Sequence, residues 1–147
     1  VGERQSGYVS GYSKAKLRNT ILIVEKGNVL TARLEQSLRD KGYFSIRIEK
    51  PDSFVPLLDS GDLIRALLFR DGDYGTSEEN YTKLKILKSM SRDMPLLFCT
   101  ANNSPQKEDR VRDLGLFYYH TEDMGLDPLV AAIDCAVKKS VIEDRFL

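Results

Sequence analysis

Residues 19–43 read NTILIVEKGNVLTARLEQSLRDKGY, and their pattern decides the fold class. Ile21-Leu22-Ile23-Val24 is a short apolar run, mostly β-branched, with polar residues at both ends. It reads as a strand buried on both faces, the kind a parallel sheet requires. Leu30, Leu34 and Leu38 then recur every fourth residue and stop at Gly42, the pattern of a helix with a glycine at its C-terminal end. Between the two lie Glu25 and Lys26, an acid and a base at the junction where open α/β sheets place their chemistry.

The same alternation continues along the chain. YFSIRIE is a second, more amphipathic strand, and DSFVPLLDSGD a short helix or turn containing proline. Ala66 to Phe69 is a third strand, and a helix after RDGDYGTSEEN is opened by Thr76 and Glu79 as a capping box. Pro95 to Cys99 is a fourth strand, followed by a polar helix with Pro105 near its start and Gly115 at its end. Leu116 to Tyr119 is a fifth strand, and Asp127-Pro128 opens a last helix with Leu129, Val130, Ile133 and Val137 on one face. Strand and helix alternating at this spacing, with right-handed crossovers, predict a doubly wound five-stranded parallel sheet in a flavodoxin-like three-layer α/β sandwich.

Composition narrows the function. At 147 residues the chain is one domain's worth, and 22 basic residues balance 22 acidic ones. No cationic excess is available to release counterions from phosphates, so direct nucleic-acid binding is not expected. No apolar run approaches the roughly 20 residues of a membrane span, and no signal peptide is visible. Cys99 and Cys135 lie in apolar segments and His120 is the single histidine. Two buried free thiols are expected, His120 reads as a surface loop residue, and neither a disulfide scaffold nor a histidine metal site is supported. Val1 in place of Met reads as the start of a piece of a longer protein. No GxGxxG, Walker loop or nucleophile elbow is present, so the chain is not expected to be an enzyme. An EF-hand counted from Asp71 fails at Thr76 and Thr82.

From Asn19 to Lys139 the chain resembles the receiver domains of bacterial two-component response regulators. ILIVEKGNVLTARLEQSLRDKGY is similar to that family's first strand, acidic pair and first helix; MPLLFCTA to its fourth strand with Thr or Ser before Ala; DLGLFYYHTED to the run into its fifth strand. The resemblance implies a pocket in which an acidic pair and an Asp ending strand three hold Mg²⁺. That Asp becomes an aspartyl phosphate, and a strand-four hydroxyl and a strand-five Lys grip the phosphoryl oxygens. Glu25 stands for the first acid and Lys26 replaces the second; Thr100 matches the hydroxyl and Tyr118 the switch aromatic; Thr121 and Glu122 replace a Lys-Pro pair. By one strand register Arg70 occupies the phosphoacceptor position, and by the next Asp71 does. Apolar runs buried on both faces have no alternation to decide between them.

Charge counting favours a degenerate phosphoacceptor pocket of Glu25, Lys26, Arg70, Asp71, Thr100 and Thr121. With Glu25, Lys26 and Arg70 the count is net positive, where the family presents a net negative charge to the dication. A misplaced unit charge about 5 Å from Mg²⁺ costs about 7 kcal/mol at an effective dielectric near 20. The expected function is therefore a regulatory protein-interaction module in bacterial signal transduction, without a metal or cofactor. The alternative is an active but atypical receiver in which Asp71 and Glu25 hold Mg²⁺. The implied partners are other signalling proteins, further domains of the same chain or a second copy in a homodimer, all cytoplasmic. Docking is expected on the helix after strand four, strand five and the last helix, near Val111, Tyr118, Ala131 and Ile133. Residues 1–18 read as a linker or disordered N-terminal segment, 19–140 as the receiver-like domain and 141–147 as a helical extension or connector.

Overall fold

The structure is a computed structural model that describes residues 19–25, 29–53, 56, 64–71, 78–90 and 93–144. Five strands, β1 (Thr20–Val24), β2 (Phe44–Ile48), β3 (Ile64–Arg70), β4 (Leu96–Thr100) and β5 (Tyr118–Thr121), form one sheet in the order β2-β1-β3-β4-β5. Every pairing is parallel. Among the described residues, four helices cover it: α1 (Val29–Asp40), α2 (Glu78–Met90), α3 (Pro105–Arg112) and α4 (Leu126–Asp144). This is the doubly wound α/β sandwich expected from the strand-helix alternation.

Alternate strand residues face opposite layers, and the core divides accordingly. Ile21, Ile23, Ala66, Leu68, Leu97 and Cys99 pack with Leu34 and Leu38 of α1 and Ile133 and Val137 of α4. Leu22, Val24, Leu67, Phe69, Leu96 and Phe98 pack with Leu84 and Leu87 of α2 and Val111 of α3. Burying one such aliphatic side chain is worth about 1.5–3 kcal/mol. A chain of apolar runs this short is thus committed to burial on both faces.

Local punctuation agrees with the chemistry of the caps. α1 closes at Gly42 (φ +88°), with the amide of Gly42 donating to the Arg39 carbonyl and that of Tyr43 to Leu38. A left-handed residue there is what glycine allows without steric cost. Ser104 caps α3 by accepting from the Lys107 amide, and Pro105 opens it. Thr76 of the expected capping box lies outside the described residues. So does most of DSFVPLLDSGD, whose first two residues, Asp52 and Ser53, lie in the 3₁₀ turn Pro51–Ser53.

Three expectations are corrected. The fifth strand runs from Tyr118 to Thr121, two residues later than the apolar run LFYY indicates. Leu116 packs against the α2/α3 layer before the ladder begins, so its hydrophobicity serves the turn rather than the strand. His120 is a strand residue only 1% exposed, not a surface loop residue. Of the two thiols, Cys99 is buried as expected but Cys135 is exposed on α4.

The strand order reverses between β2-β1 and β3-β4-β5, which puts the switch point at the C-terminal ends of β1 and β3. Residues 25, 70, 71 and 100 all lie at that edge. No helix among the described residues is long and apolar enough to cross a membrane.

Candidate functional site

Glu25 follows β1 and Arg70 ends β3. The pair Val24↔Phe69 precedes them in register, so the two side chains start at the same level of the sheet. Both continue the face of Ile23 and Leu68, toward α1 and α4. The Arg70 guanidinium donates to both oxygens of Glu122, at 2.6 Å from Nε and 3.0 Å from Nη2, a fork-to-fork geometry. Its Nη1 lies 3.5 Å from Glu25 Oε2, and the Thr31 hydroxyl in the first turn of α1 donates to the other Glu25 oxygen. Side-chain exposure is 7% for Arg70 and 4% for Glu25, so the cluster is largely out of water. Burial raises the Glu25 carboxyl above its usual range, with the Arg70 charge opposing it. The Cys99 thiol, 3.5 Å from Glu122, is pushed well above its ordinary value by burial and by that carboxylate.

Asp71, the next residue, continues the opposite face, that of Phe69. Its amide donates to the Cys99 carbonyl at 3.2 Å. Its carboxylate Oδ2 accepts from the Thr100 hydroxyl at 3.0 Å and from Lys107 Nζ at 2.9 Å. The same ammonium donates to Thr100 Oγ1 at 3.0 Å and to the Asn102 carbonyl. The Asp71 side chain is 0% exposed and that of Lys107 9%. Asn80 of α2 donates to the Asp71 carbonyl at 2.9 Å.

The residues expected to share one pocket therefore separate into two clusters. Glu25 and Arg70 meet on one side of the sheet edge, Asp71 and Thr100 on the other. Thr121 pairs with Thr100 in the β4–β5 register, and its side chain joins neither cluster. Lys26 lies outside the described residues. Tyr118 belongs to the α1/α4 side, where its hydroxyl is 3.3 Å from His120 Nδ1. The aromatic on the Thr100 side is Tyr119, stacked on Phe98 at 5.3 Å and donating to Asn103 Oδ1 at 2.7 Å. Burial pushes its hydroxyl up to about 12. At the expected docking face, Ala131 is exposed but Val111 and Ile133 are wholly buried and serve the core.

Sequence reasoning missed Lys107 altogether. A lysine three residues into a helix carries no signal of its own, and it opposes the helix dipole there by about 0.3–1 kcal/mol. Glu122 was recognised as a replacement but not as the partner of Arg70. It sits in a 3₁₀ turn, Glu122–Met124, that no periodicity announces.

Among the described residues, no three His, Cys, Asp or Glu side chains converge as a metal set. A shallow concavity of about 470 Å³ between α1 and the β5–α4 turn, lined by Arg33, Met124 and Asp127, includes none of the predicted site residues. Among the described residues, the charged side chains at the sheet edge pair with one another.

No family model matches the chain, and no curated protein matches it in sequence. Its fold is nevertheless shared with many solved structures. One is the signal receiver domain of a protein named for the Luxo repressor in Vibrio parahaemolyticus: TM-score 0.71, 16% identity, covering 88% of this chain and 97% of that one. Another is an orphan response regulator of H. pylori, with TM-score 0.65, 18% identity and coverage of 80% and 95%. A third is an atypical orphan response regulator described as having a phosphorylation-independent regulatory mechanism: TM-score 0.64, 18% identity, coverage 81% and 95%. At these identities the likeness is one of fold.

Proposed function

We propose that this receiver-like fold is a degenerate receiver domain, a regulatory protein-interaction module of bacterial signal transduction that works without aspartyl phosphorylation. The observation that carries the reading is Arg70, which ends β3 between Glu25 and Glu122. In the family it resembles, a strand-three Asp faces a Lys near the end of strand five. Here the signs are reversed, with the cation on β3 and the acid just after β5. A fixed guanidinium at this position repels Mg²⁺ and offers no nucleophile to a phosphoryl group.

The competing reading, Asp71 as acceptor with Mg²⁺, is less well supported. The Thr100 hydroxyl does meet Asp71 rather than Arg70, as that register expects, but Asp71 and Glu25 belong to opposite faces of the sheet and Lys107 neutralises the Asp71 carboxylate. The domain is no enzyme, needs no cofactor and resides in the cytoplasm. Its partners are signalling proteins, further domains of the same chain or a second copy of itself. It acts through a standing conformation set by its internal ion pairs.

Incubation with acetyl phosphate and Mg²⁺, followed by intact-mass analysis under conditions that preserve acyl phosphates, tests this. The expected result is an unchanged mass. A phosphoryl adduct that disappears in Asp71→Asn would overturn the reading.

A further inference from the structure

The segment from Ala101 to Ser104 joins β4 to α3, and its residues 101–103 are exposed. Little apolar packing holds it, so its position depends on polar ties. One ammonium joins that segment to the sheet: Lys107 reaches Asp71, Thr100 and the Asn102 carbonyl at once. The Thr100 hydroxyl in turn accepts the Asn102 amide at 3.1 Å. Asn103, the next residue, holds the Tyr119 hydroxyl. Thus a single side chain links β3, β4, the connecting loop and, through it, the aromatic of β5.

We propose that Lys107 is an internal latch that sets the position of the 101–104 loop and, through Asn103, the inward placement of Tyr119. Two features support a positioning role over simple surface pairing. The pair is buried, with Lys107 9% and Asp71 0% exposed, so its geometry is not averaged by solvent. The lysine also sits in the first turn of α3, where the helix dipole disfavours a cation, and Asp71 offsets that cost. With the latch open, Tyr119 loses its hydrogen-bond partner and the α3–β5 surface becomes free to rearrange. The inference rests on the reading of a pocket held by its own ions, but on a different cation from Arg70.

The test is amide hydrogen exchange and tyrosine ring NMR on the whole chain. Lys107→Met alone strands a buried carboxylate, so the deciding variant is the double Asp71→Asn/Lys107→Met, which removes both charges. The latch predicts exchange across residues 101–112 faster by roughly tenfold or more, with α1 residues 29–40 unchanged. It also predicts shifted Tyr119 ring signals. Unchanged exchange in 101–112, or acceleration of the same size throughout the protein, would overturn it. Phosphoryl labelling of the unmodified protein would remove the proposed function and leave this exchange result standing, so the two fail separately.

Discussion

The two sides of the sheet's C-terminal edge solve the same problem in different ways. On the α1/α4 side one strand-borne cation, Arg70, is shared by two acids from the ends of two other strands, Glu25 and Glu122. On the α2/α3 side one acid, Asp71, is neutralised by a lysine that arrives from a helix. The first cluster ties strand ends to one another, and its three members have nowhere to go without disturbing the sheet. The second ties a short loop and a short helix to the sheet, and its lysine has a flexible stem. Rigidity is thus expected on one side and a movable contact on the other.

The largest effect that breaks this comparison is expected at Arg70. Arg70→Met leaves Glu25 and Glu122 facing each other with side-chain exposures of only 4% and 17%. Removing one member of a buried ion cluster costs about 3–5 kcal/mol, read as a lower denaturant midpoint. Lys107→Met should cost less, about 2–3 kcal/mol, because the Thr100 hydroxyl still donates to Asp71. Adding Asp71→Asn should recover most of that loss.

A double-mutant cycle with Arg70→Met and Glu122→Gln sharpens the contrast with ordinary surface pairing. A coupling of about 2 kcal/mol is expected for this forked, shielded pair. The equally short Arg110–Glu78 pair, 2.6 Å apart but on the open surface, should give none that can be measured.

The smallest effect is a pH dependence confined to the α1/α4 side. Burial lowers the affinity of His120 for a proton below its ordinary value of 6.5. The folded protein therefore binds that proton less readily than the unfolded chain. Stability attributable to His120 is present above pH 6.5 and declines as pH falls from there through the lower folded value. The slope of unfolding free energy against pH should flatten over this window in His120→Asn, measured against the parent protein.

The fold was legible because its evidence is redundant. Ile21 to Val24 and Leu96 to Cys99 are apolar without interruption, and each is followed by a helical repeat and a glycine or proline stop. The site was legible only in part. Glu25, Arg70, Asp71 and Thr100 were recognised as strand-end residues, but a strand buried on both faces has no alternation to tell Arg70 from Asp71. The side each takes follows from register, Arg70 opposite Cys99 and Asp71 beyond it. Tyr118 matches the family's aromatic by its place before Thr121 and Glu122, while the side each tyrosine takes follows from the strand's alternation. Lys107 was invisible because its partner lies 36 residues away, across the edge of the sheet.

The central claim is that internal ion pairs occupy this edge, leaving no place for Mg²⁺ and a phosphoryl group. A titration with Mg²⁺ and beryllofluoride, an acyl-phosphate mimic, followed by amide NMR, tests it most directly. The account predicts no saturable shifts at Glu25, Arg70, Asp71 or Thr100. Saturable shifts at those residues that spread to Tyr119 would contradict it and make Asp71 a working phosphoacceptor.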